Sequence, residues 1–75
     1  MLDIDLRNFV LGTVSPVVQY GLYEAQHTSV PHSMYEISAI SYLMGSGFDF
    51  YTARCIVESW EVNESFPPYQ MTMVY

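Results

Sequence analysis

The chain has 75 residues, 51% of them hydrophobic and 16% aromatic. It carries eight acidic residues against two arginines and no lysine, a formal charge of −6. That length holds one domain with a thin stability margin, and that apolar content excludes a disordered tail. The charge excludes direct binding to nucleic-acid phosphates, which takes clustered Lys or Arg, and docking on an anionic membrane.

The N-terminal residues 1–14 fit two patterns. Leu2, Ile4 and Leu6 alternate with Asp3, Asp5 and Arg7 as a strand would, while Leu6, Phe9, Val10 and Thr13 keep a helical period behind an Asp5 cap. A short helix over 5–12 is the favoured reading. Ser15-Pro16 then reads as a fresh helix start, a cap residue followed by proline at the first helical position. In the helix predicted over 16–26, Val18, Leu22 and Ala25 line one side, with Val17, Tyr20 and Tyr23 beside them. Gly21 costs this helix about 1 kcal/mol relative to alanine and lets another helix approach closely. The uncharged run from Asn8 to Tyr23 is too short and too polar for a membrane span. Residues 27–32 read as a linker.

The centre of the chain, residues 33–60, reads as two amphipathic helices, 34–44 and 50–61, about a glycine-framed turn, Gly45-Ser46-Gly47. Ser33 and Glu36 have capping-box spacing. Met34, Ile37, Ile40, Leu43 and Met44 form the apolar stripe, with Glu36 and Ser41 away from it, and Gly45 offers the left-handed residue that ends the helix. Asp49 is the expected N-cap of the next helix, whose stripe is Phe50, Ala53, Ile56, Val57 and Trp60. A dry interior shared by Ile40, Leu43, Ile56 and Trp60 follows. Asn63 and Pro67-Pro68 end the helical part. Tyr69, Met71, Met73 and Tyr75 alternate with smaller or polar residues, as in a strand. The expected fold class is thus mostly α: a small three- or four-helix domain over 1–66 with a strand-like or disordered tail over 67–75.

Leu43-Met44-Gly45-Ser46-Gly47-Phe48, followed by Ala53 and Ile56-Val57, resembles the first two helices of a ubiquitin-associated (UBA) domain. That family ends its first helix with a Leu-Met pair, turns through Met-Gly-Phe, and places an alanine five residues after the phenylalanine. Gly47, Phe48 and Ala53 match in register. Ser46 stands where the loop methionine would contact ubiquitin. No third helix follows, so a third helix must come from residues 16–26. The likeness implies a helical hairpin with a hydrophobic loop.

Motifs for chemistry are absent. His27 and His32, with Glu24 or Glu36, have the residue types of a metal site, but a structural zinc site takes four ligands, and two surface-loop histidines are the preferred reading. Cys55 lies among apolar helical residues and reads as a partly buried structural thiol; being alone, it makes no internal disulfide. Ser29, Ser33 and Ser41 sit in no nucleophile elbow, and the Gly45–Gly47 turn is no phosphate loop. No enzyme, cofactor or metal is expected. With no basic-then-apolar leader and a single cysteine, a cytoplasmic setting is the expectation.

The function these features suit is a small acidic, non-enzymatic protein–protein interaction module. It would act as an adaptor or inhibitor, with a size and composition that fit a phage or mobile element and a partner that is an unidentified protein, for which a basic surface suits the charge of this chain. The expected contact residues are Phe48, Phe50, Tyr51, Tyr69, Met71, Met73 and Tyr75, because Met and Tyr surfaces adapt to partners. Acidic contacts are expected at Glu58, Glu61 and Glu64. A self-associating structural subunit, such as a homodimer, is the alternative. A nucleic-acid mimic, with Asp49, Glu58, Glu61 and Glu64 as an acidic stripe, is the third.

Overall fold

The computed structural model describes residues 3–61, which form three helices: α1 (Asp3–His27), α2 (Val30–Gly45) and α3 (Phe50–Glu58). No strand occurs among the described residues. The strand expected over residues 69–75, and with it Tyr69, Met71, Met73, Tyr75 and Glu64, lies outside them. The alternative strand at residues 2–6 gives way to helix from Asp3 onward.

The two N-terminal helices expected at 5–12 and 16–26 are one helix of 25 residues with Pro16 inside it. Proline removes one intrahelical hydrogen bond and crowds the carbonyl four residues back. Here that residue is Gly12, and both it and Pro16 are exposed, so water takes over the unbonded carbonyl.

The start of α2 also differs from the capping-box reading. Ser29, not Ser33, is the N-cap: its backbone is extended and its Oγ accepts from the His32 amide at 3.2 Å. Pro31 falls inside the first turn, where its missing N–H has no helical partner to lose. Ser33 is freed to donate its hydroxyl to the Gly21 carbonyl at 2.6 Å, a bond from α2 into α1. Gly21 itself is the point of closest approach. A Cβ built there would lie 2.7 Å from Ile37 Cγ2, so only glycine lets the two helices meet at this distance.

The turn after α2 is shifted by two residues from expectation. The helix runs through Gly45, and the left-handed residue is Gly47, with φ of 114°. Phe48 N–H donates to the Leu43 carbonyl and Gly47 N–H to the Met44 carbonyl, each at 3.1 Å. This pair of bonds is a Schellman motif, which satisfies carbonyls the helix end leaves open. Asp49 caps α3 as expected, its Oδ1 accepting from the Thr52 amide at 2.7 Å.

Val17 of α1, Ile40 of α2, and Ala53 and Val57 of α3 form the dry centre, flanked by Tyr20, Ile37, Ala39, Leu43, Met44 and Phe50. Two expectations need correcting. α3 ends at Glu58, so Trp60 lies past the helix and is half exposed rather than interior. Met34, placed on the α2 stripe, faces outward, and the fully buried residue on that helix's other flank is Glu36.

Candidate functional site

Two features of the three-helix unit call for a role: a buried polar cluster on one side of α1 and a bare apolar face on another.

The polar cluster grows from a single turn of each helix. Tyr20 and Glu24 stand one turn apart on α1, and His32 and Glu36 one turn apart on α2. The Tyr20 hydroxyl lies 2.9 Å from Glu36 Oε2 and 2.6 Å from Glu58 Oε2 of α3. His32 Nε2 stands 3.4 Å from Glu36 Oε1 and 2.9 Å from Glu61 Oε1, just beyond α3. Tyr20, His32, Glu36, Glu58 and Glu61 thereby link all three helices. Arg54 closes the outer edge: its Nε donates to Glu58 at 3.2 Å and its guanidinium sits 4.9 Å from the centre of the Tyr20 ring, a cation–π placement. The Tyr20 ring also meets Phe50 edge to face, with centroids 6.2 Å apart.

Burial dominates the electrostatics. Glu36 is fully buried and His32 nearly so. Desolvation pushes the Glu36 carboxyl above its ordinary range, helped by nearby Glu61 and opposed by the Tyr20 hydroxyl. Glu24 is raised too, first by burial and then by the neighbouring Glu36 carboxylate. The Tyr20 phenol is pushed up by burial and by donating to Glu58 and Glu36, so it stays a donor. At the outer edge, Arg54 is held further into its charged form by Glu58. The ligand atoms of Glu24, His32 and Glu36 all lie within 4.8 Å of one another, the group among the described residues whose geometry can hold a metal ion.

This corrects the expectation for the histidines. Neither is in a loop: His32 is buried in the first turn of α2, while His27 ends α1, exposed and stacked on Tyr23. The reading of Glu36 as a surface cap residue is likewise overturned. Its signal lay in the four-residue spacing to His32, which puts an imidazole and a carboxylate on one helix face. Cys55 is exposed rather than partly buried.

The sequence-expected contact residues are scattered. Phe48 and Tyr51 are exposed, but Phe50 packs on the core. Glu58 and Glu61 point to Tyr20 and His32, and Asp49 is occupied at the α3 cap, where Thr52 holds its carboxyl below the usual range.

Val18, Leu22 and Ala25, expected along one side of a 16–26 helix, belong to a longer apolar face, because α1 runs unbroken through Pro16. Ile4, Leu11, Val18 and Ala25 follow one another at seven-residue intervals along α1, with Leu22 beside them. They lie roughly a third of a turn round the helix from the core-facing Val17, Tyr20, Gly21 and Glu24. Ile4, Leu11, Val18 and Leu22 are each at least half exposed. The stripe borders a groove of about 250 Å³ between α1 and α2, lined by Val18, Leu22, Ala25, Val30, Met34 and Ile37, among others. No charged side chain lines it. A second groove, about 280 Å³, lies between Phe9, Val10 and Val14 of α1 and Met44 at the end of α2. No described helix is long and apolar enough to cross a membrane.

No family model, no curated protein and no solved structure matches the chain. The UBA likeness of residues 43–57 therefore stays a resemblance over one helix hairpin.

Proposed function

We propose that the chain is a small acidic, non-enzymatic protein–protein interaction module that receives an apolar helix of another protein along α1 and the α1–α2 groove. The observation that carries this is the run of exposed Ile4, Leu11, Val18 and Leu22 beside Val30 and Met34, which are also more than half exposed. A helix apolar on more than its core face is one that another surface covers, and a groove between two helices suits a third helix laid in it. Because no charge lines the groove, the inserted ridge is itself uncharged. The acidic groups at Glu24, Glu36 and Glu58 lie outside the groove lining.

Leu22→Glu and Met34→Glu place charge in the groove at exposed positions, where folding is unaffected. The tagged chain is expected to retain one protein at a fixed stoichiometry, and each variant to lose it with an unchanged circular dichroism spectrum. A partner that binds both variants as tightly as the parent overturns the reading.

A second reading, self-association, has its own support. The seven-residue repeat Ile4–Leu11–Val18–Ala25 is the spacing by which two like helices pack side by side. Sedimentation across a concentration series decides it: a dimer broken by Leu11→Glu supports it, and a monomer at every concentration removes it.

A further inference from the structure

We propose that Glu24, His32 and Glu36, with Glu61 as the fourth group, bind one divalent transition-metal ion of the zinc class, which pins the three-helix unit together. The ligand atoms of the first three lie within 4.8 Å of one another. In a tetrahedral zinc shell with bonds near 2.0–2.2 Å, neighbouring ligand atoms stand about 3.4 Å apart, a contraction that side-chain rotation supplies. Glu61 Oε1 is already 2.9 Å from His32 Nε2.

The second observation is Glu36 Oε1. Glu36 is fully buried, and this oxygen accepts no hydrogen bond, although Oε2 takes the Tyr20 hydroxyl. A buried carboxylate oxygen without a donor is costly. It is aimed at His32, in the middle of the cluster. Three carboxylates meet one imidazole here, and the two arginines are engaged elsewhere, Arg7 with Asn8 and Arg54 with Glu58. A dication gives that oxygen a partner, in place of the proton-sharing contacts of Glu36 with Glu24 and Glu61.

The donor set selects the ion. One imidazole nitrogen with carboxylate oxygens suits zinc and its transition-metal neighbours, whereas magnesium demands an octahedral shell of oxygens and keeps its waters. The ligands come from α1, α2 and the residue after the α3 cap turn, so a bound ion ties together elements that a core of this size holds only weakly. This proposal is independent of the docking face, which uses none of these side chains.

The test uses the full chain, stripped with EDTA and titrated with zinc chloride by calorimetry, with thermal melts followed by circular dichroism. One zinc per chain is expected, with a rise in melting temperature that EDTA reverses and that magnesium does not produce. Binding releases protons, because raised carboxyls must ionise to ligate. Glu24→Gln and His32→Ala are each expected to weaken zinc at least ~10-fold, the loss that even outer groups of a metal site cause, while His27→Ala leaves affinity unchanged. Glu24 is only partly buried and the change keeps its shape, so this variant decides the matter if His32→Ala does not fold. Zinc that leaves the melting temperature of the folded chain unmoved overturns the proposal. So does affinity retained by Glu24→Gln, or lost with His27→Ala.

Discussion

The two halves of α1 obey different rules, although one unbroken helix carries both. Beyond Pro16, Val17, Tyr20, Gly21 and Glu24 are held by α2 and α3, through a dry contact, a phenol shared by two carboxylates, and a hydroxyl bonded to a helix carbonyl. Before Pro16, Ile4, Leu6, Phe9, Val10 and Leu11 are all largely exposed. Nothing in local propensity separates the halves, since both are uncharged and apolar over most of their length. What separates them is reach: α2, at 16 residues, is shorter than the 25-residue α1 it lies against. Apolar character in a helix thus marks a surface that will be covered without saying by what, and in this chain α2 and α3 cover only part of it.

The sharpest way to break that comparison is to truncate one side chain in each half. Ile40, fully buried against Val17, is expected to lose about 2–5 kcal/mol on Ile40→Ala, the range for emptying a packed core site. Phe9→Ala removes a larger side chain from an exposed position and is expected to change stability by less than about 0.5 kcal/mol. Urea denaturation of both at low protein concentration checks it. A Phe9 loss that grows with protein concentration would show that a second copy covers the outer half.

How much of this was legible follows the range of the forces involved. The Asp49 cap and the existence of the α2–α3 turn could be read because each depends on neighbours within five residues. The α3 core positions Ala53 and Val57 could be read from periodicity. Ser15-Pro16 misled, because a proline after a serine is equally compatible with a helix start and with an interior site where water serves the lost carbonyl. Ser33 and Glu36 misled for a deeper reason. Their spacing matches a capping box, but Ser29 and Pro31 begin the helix a turn earlier, and both side chains then turn to α1. Their partners, Gly21 and Tyr20, lie twelve and sixteen residues back. Pairings of that kind are set by packing, and a single sequence holds no record of them. The close approach at Gly21 was foreseen in kind, though not its partner Ile37.

That approach gives the next test of why the inner half is held. Gly21→Ala adds helix propensity of about 1 kcal/mol but puts a methyl 2.7 Å from Ile37 Cγ2, and overpacking of this kind costs about 1–3 kcal/mol. The branch of a β-branched side chain cannot swing aside as the end of a flexible one does. A net loss of about 1 kcal/mol is expected by urea denaturation, and Gly12→Ala, with open space around it, is expected to stabilise. If both substitutions stabilise, the helices are not pressed together at Gly21.

The smallest effect is the dependence on pH, and it discriminates best between the polar cluster and the rest of the surface. Glu24 and Glu36 both titrate above their ordinary 4.5 in the fold, chiefly because burial disfavours their charge. A carboxyl raised by folding contributes stability that is complete below its unfolded value and is lost as pH rises through its folded one. Asp49, held below its usual 3.8 by Thr52, works in the opposite sense and loses its contribution as pH falls. In metal-free buffer the urea midpoint is therefore expected to climb as pH drops from neutral toward 4.5, then to turn down once Asp49 takes its proton. Glu36→Gln cannot ionise and keeps an oxygen for the Tyr20 hydroxyl, so it flattens the climb while leaving the acid limb in place. Saturating zinc reverses the slope above 4.5, because metal and protons compete for the same oxygens. A parent chain whose stability falls steadily on acidification in metal-free buffer would mean that Glu36 is not buried against Tyr20 and His32 in solution. The inner half of α1 would then be anchored by its apolar contacts alone.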